Sequence, residues 1–305
     1  MKKIPKISIA LLAVALLVLG VAACSQQKEE KQVKHVKVFI DNSAFELMEP
    51  LFLYVDSLYK DIKYDYIDTT AFGAMAMLLA DTSYKVCIIS RDYTPAEKEN
   101  MAIYSVADKP RGIIARDALV FFVNKGFPAD TLSHEEIVAL FNDEKFSIKK
   151  QYPGLAKEPV FAVRNQYSSE YENLKNVVLN GKISRKILKP FSTVDSVKQF
   201  VLEESSAIGI GYLSQLANDN RFKMLKIGFT DSTGKRVIPR MVHQANIVQG
   251  FYPYEIQHYI YLYNKTDNKA EWILRYLTKA AAPQKYFNEA GIVPAYGNFK
   301  IIVEE

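Results

Sequence analysis

Short apolar runs alternate with amphipathic segments along the first third of the chain. Residues 35–40, 62–67 and 84–89 are apolar or alternating runs of strand length. Apolar residues at helical spacing follow the first two, as at Leu47 and Leu51 after the first run, and the capping-box and N1-proline pattern Thr94-Pro95-Ala96-Glu97 opens a helix after the third. Strands that alternate with helices in this way predict a largely parallel α/β sheet.

A hydroxyl-bearing turn follows each of these strands and opens the next helix. The turns are Asp41-Asn42-Ser43, Asp68-Thr69-Thr70 and Ser90-Arg91-Asp92. The carboxyl ends of parallel strands share one sheet edge, where ligands usually bind. Because the free N–H groups of a helix start carry partial positive charge, this edge is predicted to face an anion.

The same arrangement stands near the middle of the chain. Residues 159–163 form an apolar run, a polar turn with Arg164 follows, and Ser168 and Ser169 open a helical pattern. The helix start, the two hydroxyls and the planar guanidinium of Arg164 together suit an oxyanion. The competing interpretation is an ordinary serine N-cap beside a solvated arginine.

Both kinds of element continue through the remaining chain. Strands are predicted over residues 118–123, 207–213 and 256–263, and the last of these is crowded with tyrosines. Helices are predicted over residues 137–141, 197–202 and 271–277. A loop is predicted over residues 145–157, with turns at Asn180-Gly181 and at residues 231–236.

The amino terminus has the pattern of an export signal. Three lysines precede the apolar run 7–23, and Val21-Ala22-Ala23-Cys24 places small residues before a cysteine, which is a lipobox. Residues 1–23 are therefore predicted to be a lipoprotein signal peptide, Cys24 the lipidated residue and residues 24–35 a flexible tether. The mature chain would then be extracytoplasmic and membrane-anchored, in the periplasm or at the cell surface. A single-pass membrane anchor is the competing interpretation.

Charge and cysteine usage argue against several function classes. Without Lys2, Lys3 and Lys6 the chain has 36 basic and 34 acidic residues, a net of +2, which argues against a nucleic-acid binder. With Cys24 lipidated only Cys87 remains, so no disulfide forms within the mature body. Neither a metal nor another cofactor is expected, because four histidines lack the HxH or HExxH spacing of zinc ligands: His35, His134, His243 and His258.

A series of segments occurs in one order along nearly all of the mature chain. The segments are Asn42-Ser43-Ala44-Phe45, Ile88-Ile89-Ser90-Arg91 before a Thr-Pro-Ala-Glu helix start, residues 115–125, Thr131-Leu132-Ser133, Arg164 with Ser168-Ser169, residues 207–212, Tyr252-Pro253 and residues 291–295. In this order they resemble the substrate-binding proteins of ABC importers, specifically the phosphate-binding, PstS-like branch in its lipoprotein form.

The resemblance implies a type II periplasmic-binding-protein-like α/β fold with two lobes, two hinge crossovers and a ligand cleft between the lobes. Lobe 1 would comprise residues 36–116 and 243–305, and lobe 2 would comprise residues 117–242. A small anion would lie in the cleft, and ligand would favour closure of the two lobes. The chain would act as a monomer.

The resemblance also implies which residues hold the guest. They come from both lobes: Ser43, Ala44, Phe45, Thr70, Ser90, Arg91, Arg164, Ser168 and Ser169. The chain departs from the family pattern at three positions, because Ser169 replaces a glycine, Glu170 a threonine and Arg91 an aspartate. Glu170 either points away along the helix, closes a capping box, or faces the guest and repels it. A cleft with two arginines would suit a more fully charged anion or a carboxylate-bearing ligand.

These observations predict an extracytoplasmic lipoprotein that captures phosphate or a similar small oxyanion for an ABC importer, with a permease as its partner. The alternative is a non-transport surface lipoprotein that uses the same scaffold for adhesion, signalling or complex assembly. The tyrosines of residues 252–263 motivate that alternative, since exposed aromatic residues mark interfaces. Enzymatic activity is not expected, because the chain lacks a GxSxG elbow and a positioned base.

Overall fold

The computed structural model describes residues 34–80, 85–183, 187–264 and 268–296. The predicted signal peptide and Cys24 lie outside this part of the chain, as does Tyr84 at the start of the third predicted strand. Two residues assigned to the tether, Lys34 and His35, belong to the first strand. No helix among the described residues is long and apolar enough to cross a membrane.

Strands occupy much of the described chain. They are β1 (Lys34–Asp41), β2 (Ile62–Thr69), β3 (Val86–Ile89), β4 (Arg111–Asn124), β5 (Thr131–Ser133), β6 (Val160–Arg164), β7 (Leu188–Phe191), β8 (Ala207–Tyr212), β9 (Phe222–Met224), β10 (Lys226–Thr230), β11 (Arg236–Arg240), β12 (Glu255–Leu262) and β13 (Val293–Pro294). The predicted strands of the first third are all present, with β3 beginning at Val86.

Helices alternate with most of these strands. They are α1 (Asn42–Leu58), α2 (Ala71–Ala80), α3 (Pro95–Ile103), α4 (His134–Asn142), α5 (Ser169–Asn173), α6 (Val194–Glu203), α7 (Leu213–Leu216), α8 (Gln244–Val248), α9 (Asn268–Lys279) and α10 (Ala281–Glu289). A π turn over Leu174–Val178 continues α5. The predicted helix at residues 137–141 is α4, which begins three residues earlier than the apolar pattern indicates.

The strands form one long sheet in the order β2-β1-β3-β12-β4-β8-β6-β7. β1 is parallel to β2 and β3, and β6 is parallel to β7 and β8. The prediction of a largely parallel sheet is therefore correct for these two groups. It is wrong for the middle of the sheet, where β12 and β4 run antiparallel to their neighbours.

β4 belongs to both halves of the sheet. Its first part pairs with β12 as far as Ala118, opposite Glu255, and its second part pairs with β8 from Leu119, opposite Tyr212. We call the side with β1, β2, β3 and β12 lobe 1 and the side with β6, β7 and β8 lobe 2. The α/β, two-lobed architecture expected from the sequence is confirmed. The exact lobe boundary after residue 116 stays a prediction, although it falls two residues from this change of partner strand.

A second, smaller sheet has the order β11-β10-β5. Sequence analysis predicts only the turn between β10 and β11, and this turn is present with Gly234 at φ 82°. Both strands are short, and β11 is largely exposed, so neither has the apolar alternation that identifies a half-buried strand.

The tyrosine-rich strand lies in the core. Tyr252, Tyr254 and Tyr261 are all buried, and the phenolic oxygen of Tyr252 donates to the carbonyl of Leu119 at 2.8 Å. β12 lies between β3 and β4, so its side chains pack on both faces of the sheet. These tyrosines therefore provide hydrophobic packing with a satisfied polar end, not an exposed interface.

Candidate functional site

Six polar residues from both lobes meet where β1 and β6 end. Asp41 ends β1, Ser43 lies in the first turn of α1, Arg164 ends β6, Ser169 and Glu170 begin α5, and Gln215 lies on α7. We call these six residues the interlobe cluster. All of them except the half-buried Gln215 are buried, and Glu170 is 0% exposed. The elements meet here because each strand ends at the same edge and a helix leads away from it.

Ser43 is the centre of this cluster. Its Oγ lies 2.6 Å from Oε2 of Glu170, 3.0 Å from Oδ1 of Asp41 and 3.1 Å from Nη1 of Arg164. Nε2 of Gln215 donates to the Ser43 carbonyl at 3.3 Å and to Oε1 of Glu170 at 3.2 Å. Glu170 and Arg164 belong to lobe 2 and Ser43 to lobe 1, so these hydrogen bonds connect the lobes.

Asp41 forms a further connection between the lobes. Its Oδ1 accepts the backbone N–H of Ser43 at 3.1 Å, as expected for an N-cap of α1. Its Oδ2 accepts a hydrogen bond from the hydroxyl of Ser169 in lobe 2. The turn that opens α1 was predicted from the sequence, but the contact with Ser169 spans 128 positions and leaves no local signal.

The cluster contains one buried arginine and two buried carboxyl groups. Nη1 of Arg164 lies 3.8 Å from Oε1 of Glu170, and Asp41 adds a second buried carboxyl. Burial raises the pKa of Glu170; the positive charge of Arg164 opposes this rise, and the negative charge of Asp41 adds to it. Within the described residues, Nε of Arg164 and Oδ1 of Asn42 are buried without a hydrogen-bond partner.

Four of the predicted site residues act at helix starts or in packing. Oγ of Ser168 accepts the N–H of Tyr171 at 3.2 Å as the N-cap of α5, and Oγ1 of Thr70 accepts the N–H of Gly73 at 3.1 Å. Ala44 is fully buried, and Phe45 packs edge-on against Phe52. These observations agree with the predicted helix starts, while a contact with a guest stays a prediction for all four.

Ser90 lies in a buried row with a histidine and an aspartate. Its Oγ is 2.9 Å from Nδ1 of His258, and Nε2 of His258 is 3.1 Å from Oδ2 of Asp117. All three residues are 0% exposed, and they join β3, β12 and β4 at the place where β4 passes between the lobes. Because none of the three is accessible to solvent, a substrate has no path to the Ser90 hydroxyl. The row connects the strands.

Arg91 is paired inside lobe 1. Nη1 and Nη2 donate to the two carboxylate oxygens of Glu97 at 2.7 Å each, and Nη1 also donates to the Asp92 carbonyl. Burial lowers the pKa of Arg91, but the hydrogen bonds and charge of Glu97 outweigh it, so the pKa is raised overall. Glu97 also closes the predicted capping box with Thr94, which fixes the pair at the start of α3.

Two cavities adjoin this region. One, of about 410 Å³, is lined by Ser43 and Gln215 of the interlobe cluster and also by Glu46 and Glu289. The other, of about 430 Å³, is lined by Arg91 and by Asn173, whose Nδ2 donates to the Ser90 carbonyl at 2.7 Å. Among the described residues no group of three His, Cys, Asp or Glu side chains could hold a metal ion.

Sequence reasoning did not identify Gln215 or Asn173, which both connect the lobes. The lobe-1 partners of these two side chains lie far away in the chain, so no local pattern marks them. Glu170 was recognised as a departure from the family pattern, with three orientations left open. The structure gives it the orientation into the cleft, because Ser43 and Gln215 both contact its carboxyl.

The family model described as the PBP superfamily domain matches residues 25–282 of this chain. That range includes every residue of the interlobe cluster. A search of curated protein sequences finds no match.

Solved structures with a similar fold include the following three proteins. One, from Clostridium perfringens, is assigned to the phosphate ABC transporter substrate-binding proteins and has bound phosphate; the TM-score is 0.69 at 14% identity, over 86% of this chain and 99% of that chain. An ABC-type phosphate transport receptor from Vibrio cholerae has a TM-score of 0.64 at 16% identity, over 85% and 99%. PstS from Borrelia burgdorferi has a TM-score of 0.54 at 18% identity, over 86% and 98%. At these identities the similarity shows a shared fold.

Proposed function

Because the chain belongs to the PBP superfamily domain family, we propose that it is an extracytoplasmic solute-binding protein. In this proposal it captures phosphate or a similar small oxyanion for an ABC importer and delivers it to the permease. The structural relatives include a protein with bound phosphate and an ABC-type phosphate transport receptor, which supports this choice of ligand.

The single observation that carries the proposal is the contact between Arg164 and Ser43. A guanidinium from lobe 2 lies 3.1 Å from a hydroxyl of lobe 1, and both side chains are buried at the ends of strands. A planar cation with a neighbouring hydroxyl donor recognises an oxyanion through charge-assisted hydrogen bonds. Donors from both lobes would also make the bound, closed form more stable than the open form.

The proposed guest contacts come from Ser43, Arg164 and Ser169, with the helix starts at Ala44, Phe45, Thr70 and Ser168 around them. Ser90 and Arg91 have buried protein partners, and their proposed part is to hold the ends of β3 and α3 beside the cleft. Lipidation at Cys24, membrane anchoring and a monomeric state belong to the same proposal.

The proposal is tested by calorimetric titration of the full-length protein in detergent with phosphate, sulfate and a series of small carboxylates. We expect one of these anions to bind with a heat that disappears in Arg164→Ala. An equal titration of Arg221→Ala is the control, because Arg221 pairs with Asp219 on the surface. Binding of none of the anions to the wild-type protein would overturn the oxyanion proposal.

A second candidate function is supported by the partners already present in the cluster. Ser43, Arg164, Ser169 and Gln215 all form hydrogen bonds within the protein, so the lobes are connected without a guest. A closed scaffold of this kind would suit adhesion, signalling or complex assembly at the cell surface. Co-purification of a protein partner, together with no thermal shift by any small anion, would favour this second function.

Catalysis is not part of the proposal. The hydrogen-bonded row of Ser90, His258 and Asp117 has the residue types of a hydrolase triad, but a substrate must reach the serine hydroxyl. All three residues are 0% exposed, and His258 and Asp117 lie on adjacent strands within the sheet. This burial supports a structural part for the row in joining the two lobes.

A further inference from the structure

The Ser43 hydroxyl of the interlobe cluster has one hydrogen, but two carboxyl oxygens lie within hydrogen-bond distance of it. The Ser43 hydroxyl lies between two carboxyl oxygens, Oε2 of Glu170 at 2.6 Å and Oδ1 of Asp41 at 3.0 Å. A serine hydroxyl has one hydrogen and two lone pairs. If both carboxyls were ionised, Ser43 would leave one of these two short contacts without a hydrogen, between two oxygens that repel each other.

One proton on Glu170 removes this conflict. The protonated carboxyl donates from Oε2 to Oγ of Ser43, and the Ser43 hydroxyl donates to Asp41. Oγ of Ser43 then uses its second lone pair to accept from Nη1 of Arg164. Oε1 of Glu170 accepts from Gln215, and Oδ2 of Asp41 accepts from Ser169.

The same proton balances the charge. Within the cluster Arg164 and Asp41 then form one cation and one anion, and Glu170 is neutral; the exposed Asp68, outside the cluster, also interacts with Arg164 and Asp41. A buried cluster with an additional uncompensated carboxylate would be costly, whereas a neutral carboxylic acid with both oxygens bonded is not. The titratable groups that face Glu170 are Arg164 from β6, Asp41 from β1 and Tyr212 from β8. Burial, with Asp41 adding to it and Arg164 opposing it, raises the pKa of Glu170.

We propose that the Glu170 carboxyl is a resident occupant of the anion position, where it hydrogen-bonds to Ser43 and Gln215 beside Arg164 and closes the two lobes without a guest. This inference rests on the proposed oxyanion-binding function of the same site. A guest must turn Glu170 out of the cluster before it can use these donors. Its measured affinity is therefore reduced by the stability of the occupied form.

The position of Glu170 explains why the side chain can act in this way. It is the second residue of α5, and its neighbour Ser169 is held by Asp41, so the helix start is fixed against lobe 1. Its carboxyl presents two oxygens, as the carboxylate of a separate ligand would, and a short flexible side chain places them. Closure by Glu170 replaces the contacts of a separate ligand with contacts that carry no cost of association.

The test compares Glu170→Thr and Glu170→Gln with the wild-type full-length protein. Threonine removes the carboxyl, whereas glutamine keeps the shape and the donor of the protonated acid. Glu172→Gln is the matched control on the same helix, because Glu172 pairs with Asn176 and Lys175 outside the cluster. Hydrogen exchange of the amides at residues 41–45 and 168–173 reports closure, and calorimetry with inorganic phosphate reports binding.

We expect these amides to be protected without phosphate in the wild type, in Glu170→Gln and in Glu172→Gln. In Glu170→Thr they should lose protection and regain it when phosphate binds, with an affinity at least about tenfold above the wild type. Equal protection and equal phosphate affinity in Glu170→Thr and the wild type would overturn the resident-occupant proposal.

The outcomes separate this proposal from the proposed function. Loss of protection in Glu170→Thr, with no binding of phosphate, sulfate or a small carboxylate to any variant, supports the resident occupant and rejects oxyanion capture. Tight phosphate binding that no Glu170 substitution alters supports oxyanion capture and rejects the resident occupant. If Glu170→Thr does not fold, the pH dependence decides: as the pH rises through the raised native pKa of Glu170, protection should fall in the wild type and stay constant in Glu170→Gln. Equal pH dependence in both would overturn the proposal.

Discussion

Arg91 and Glu97 form a buried, two-pronged ion pair, with 2.7 Å between the bonded atoms at each prong. The same carboxylate accepts the N–H of Thr94 at 2.8 Å, so one side chain both caps α3 and neutralises the arginine. The sequence resemblance places Arg91 among the ligand contacts. Its two terminal nitrogens donate to Glu97 and Asp92 inside lobe 1, so we propose that Arg91 stabilises lobe 1; its contact with a guest stays a prediction.

Removal of one partner of this pair should destabilise the protein strongly. Arg91→Met leaves Glu97 buried without its cation, and we expect the free energy of unfolding to fall by about 3–5 kcal/mol. The double variant Arg91→Met with Glu97→Met should recover much of this loss, although it also loses the cap of α3. Urea unfolding of the three proteins measures the effect. If the double variant still binds the anion, Arg91 only stabilises lobe 1. If the double variant no longer binds it, Arg91 contacts the guest.

Arg164 should affect stability and binding together. Arg164→Ala leaves the carboxyls of Asp41 and Glu170 buried without a cation, so the free energy of unfolding should fall by about 3 kcal/mol. Anion binding should weaken by about 2–5 kcal/mol if the guanidinium pairs with a desolvated charge on the guest. Denaturant titration and calorimetry measure the two effects. Arg221, whose side chain is 55% exposed and pairs with Asp219, gives the control, because Arg221→Ala should change stability by about 1 kcal/mol or less.

The raised pKa of Glu170 predicts a pH dependence with a definite sign. In the unfolded chain the Glu170 carboxyl has a pKa of about 4.3 and releases its proton above that pH. The native state keeps the proton to a higher pH, because its pKa is raised. The contribution of Glu170 to the free energy of unfolding is therefore complete below the unfolded-state pKa, and it is lost as the pH rises toward the native pKa. Over that range the free energy of unfolding should fall by about 1.4 kcal/mol per pH unit relative to Glu170→Gln.

Denaturant unfolding of both proteins at a series of pH values measures this difference. Subtraction of the Glu170→Gln curve removes the titration of the other carboxyls, which the two proteins share. A difference that is constant over the whole series, or one that increases with pH, would contradict a proton on Glu170 in the native state.

Gly209 should tolerate no side chain. It lies in β8 opposite Phe122 of β4, and a Cβ at this position would come within 2.3 Å of the phenylalanine ring. Gly209→Ala should therefore lower the free energy of unfolding by about 1–3 kcal/mol through overpacking. Gly126→Ala is the control, since Gly126 lies in an exposed turn with its nearest atom 3.4 Å away. Equal melting temperatures for the two variants would show that β4 and β8 can separate at little cost.

Local sequence patterns predicted the helix starts well. Thr94 with Glu97 and Ser133 with Glu136 each form a capping box, and Ser168 is the N-cap of α5. These features depend on residues that are at most three positions apart, so a single sequence contains all of the information. The positive φ of Asn180 and Gly181 agrees with the predicted helix end for the same reason.

Long-range pairing limited the rest of the prediction. The insertion of β12 between β3 and β4 depends on contacts across about half of the chain, and periodicity gives no strand order. In the cluster, the types and helix-start positions of Ser43, Arg164 and Ser169 followed from the sequence. The inward orientation of Glu170 did not, because it is decided by Ser43 and Gln215 from two other elements.

The continuity of β4 through both halves of the sheet also limits how this protein can be divided. A fragment that ends inside β4 would expose the edges of β12 and β8, which β4 covers in the intact chain. Uncovered strand edges of this kind pair with other chains and aggregate. Neither lobe is therefore a self-sufficient folding unit, and evolution or engineering can exchange the lobes between relatives only together with the strand that they share.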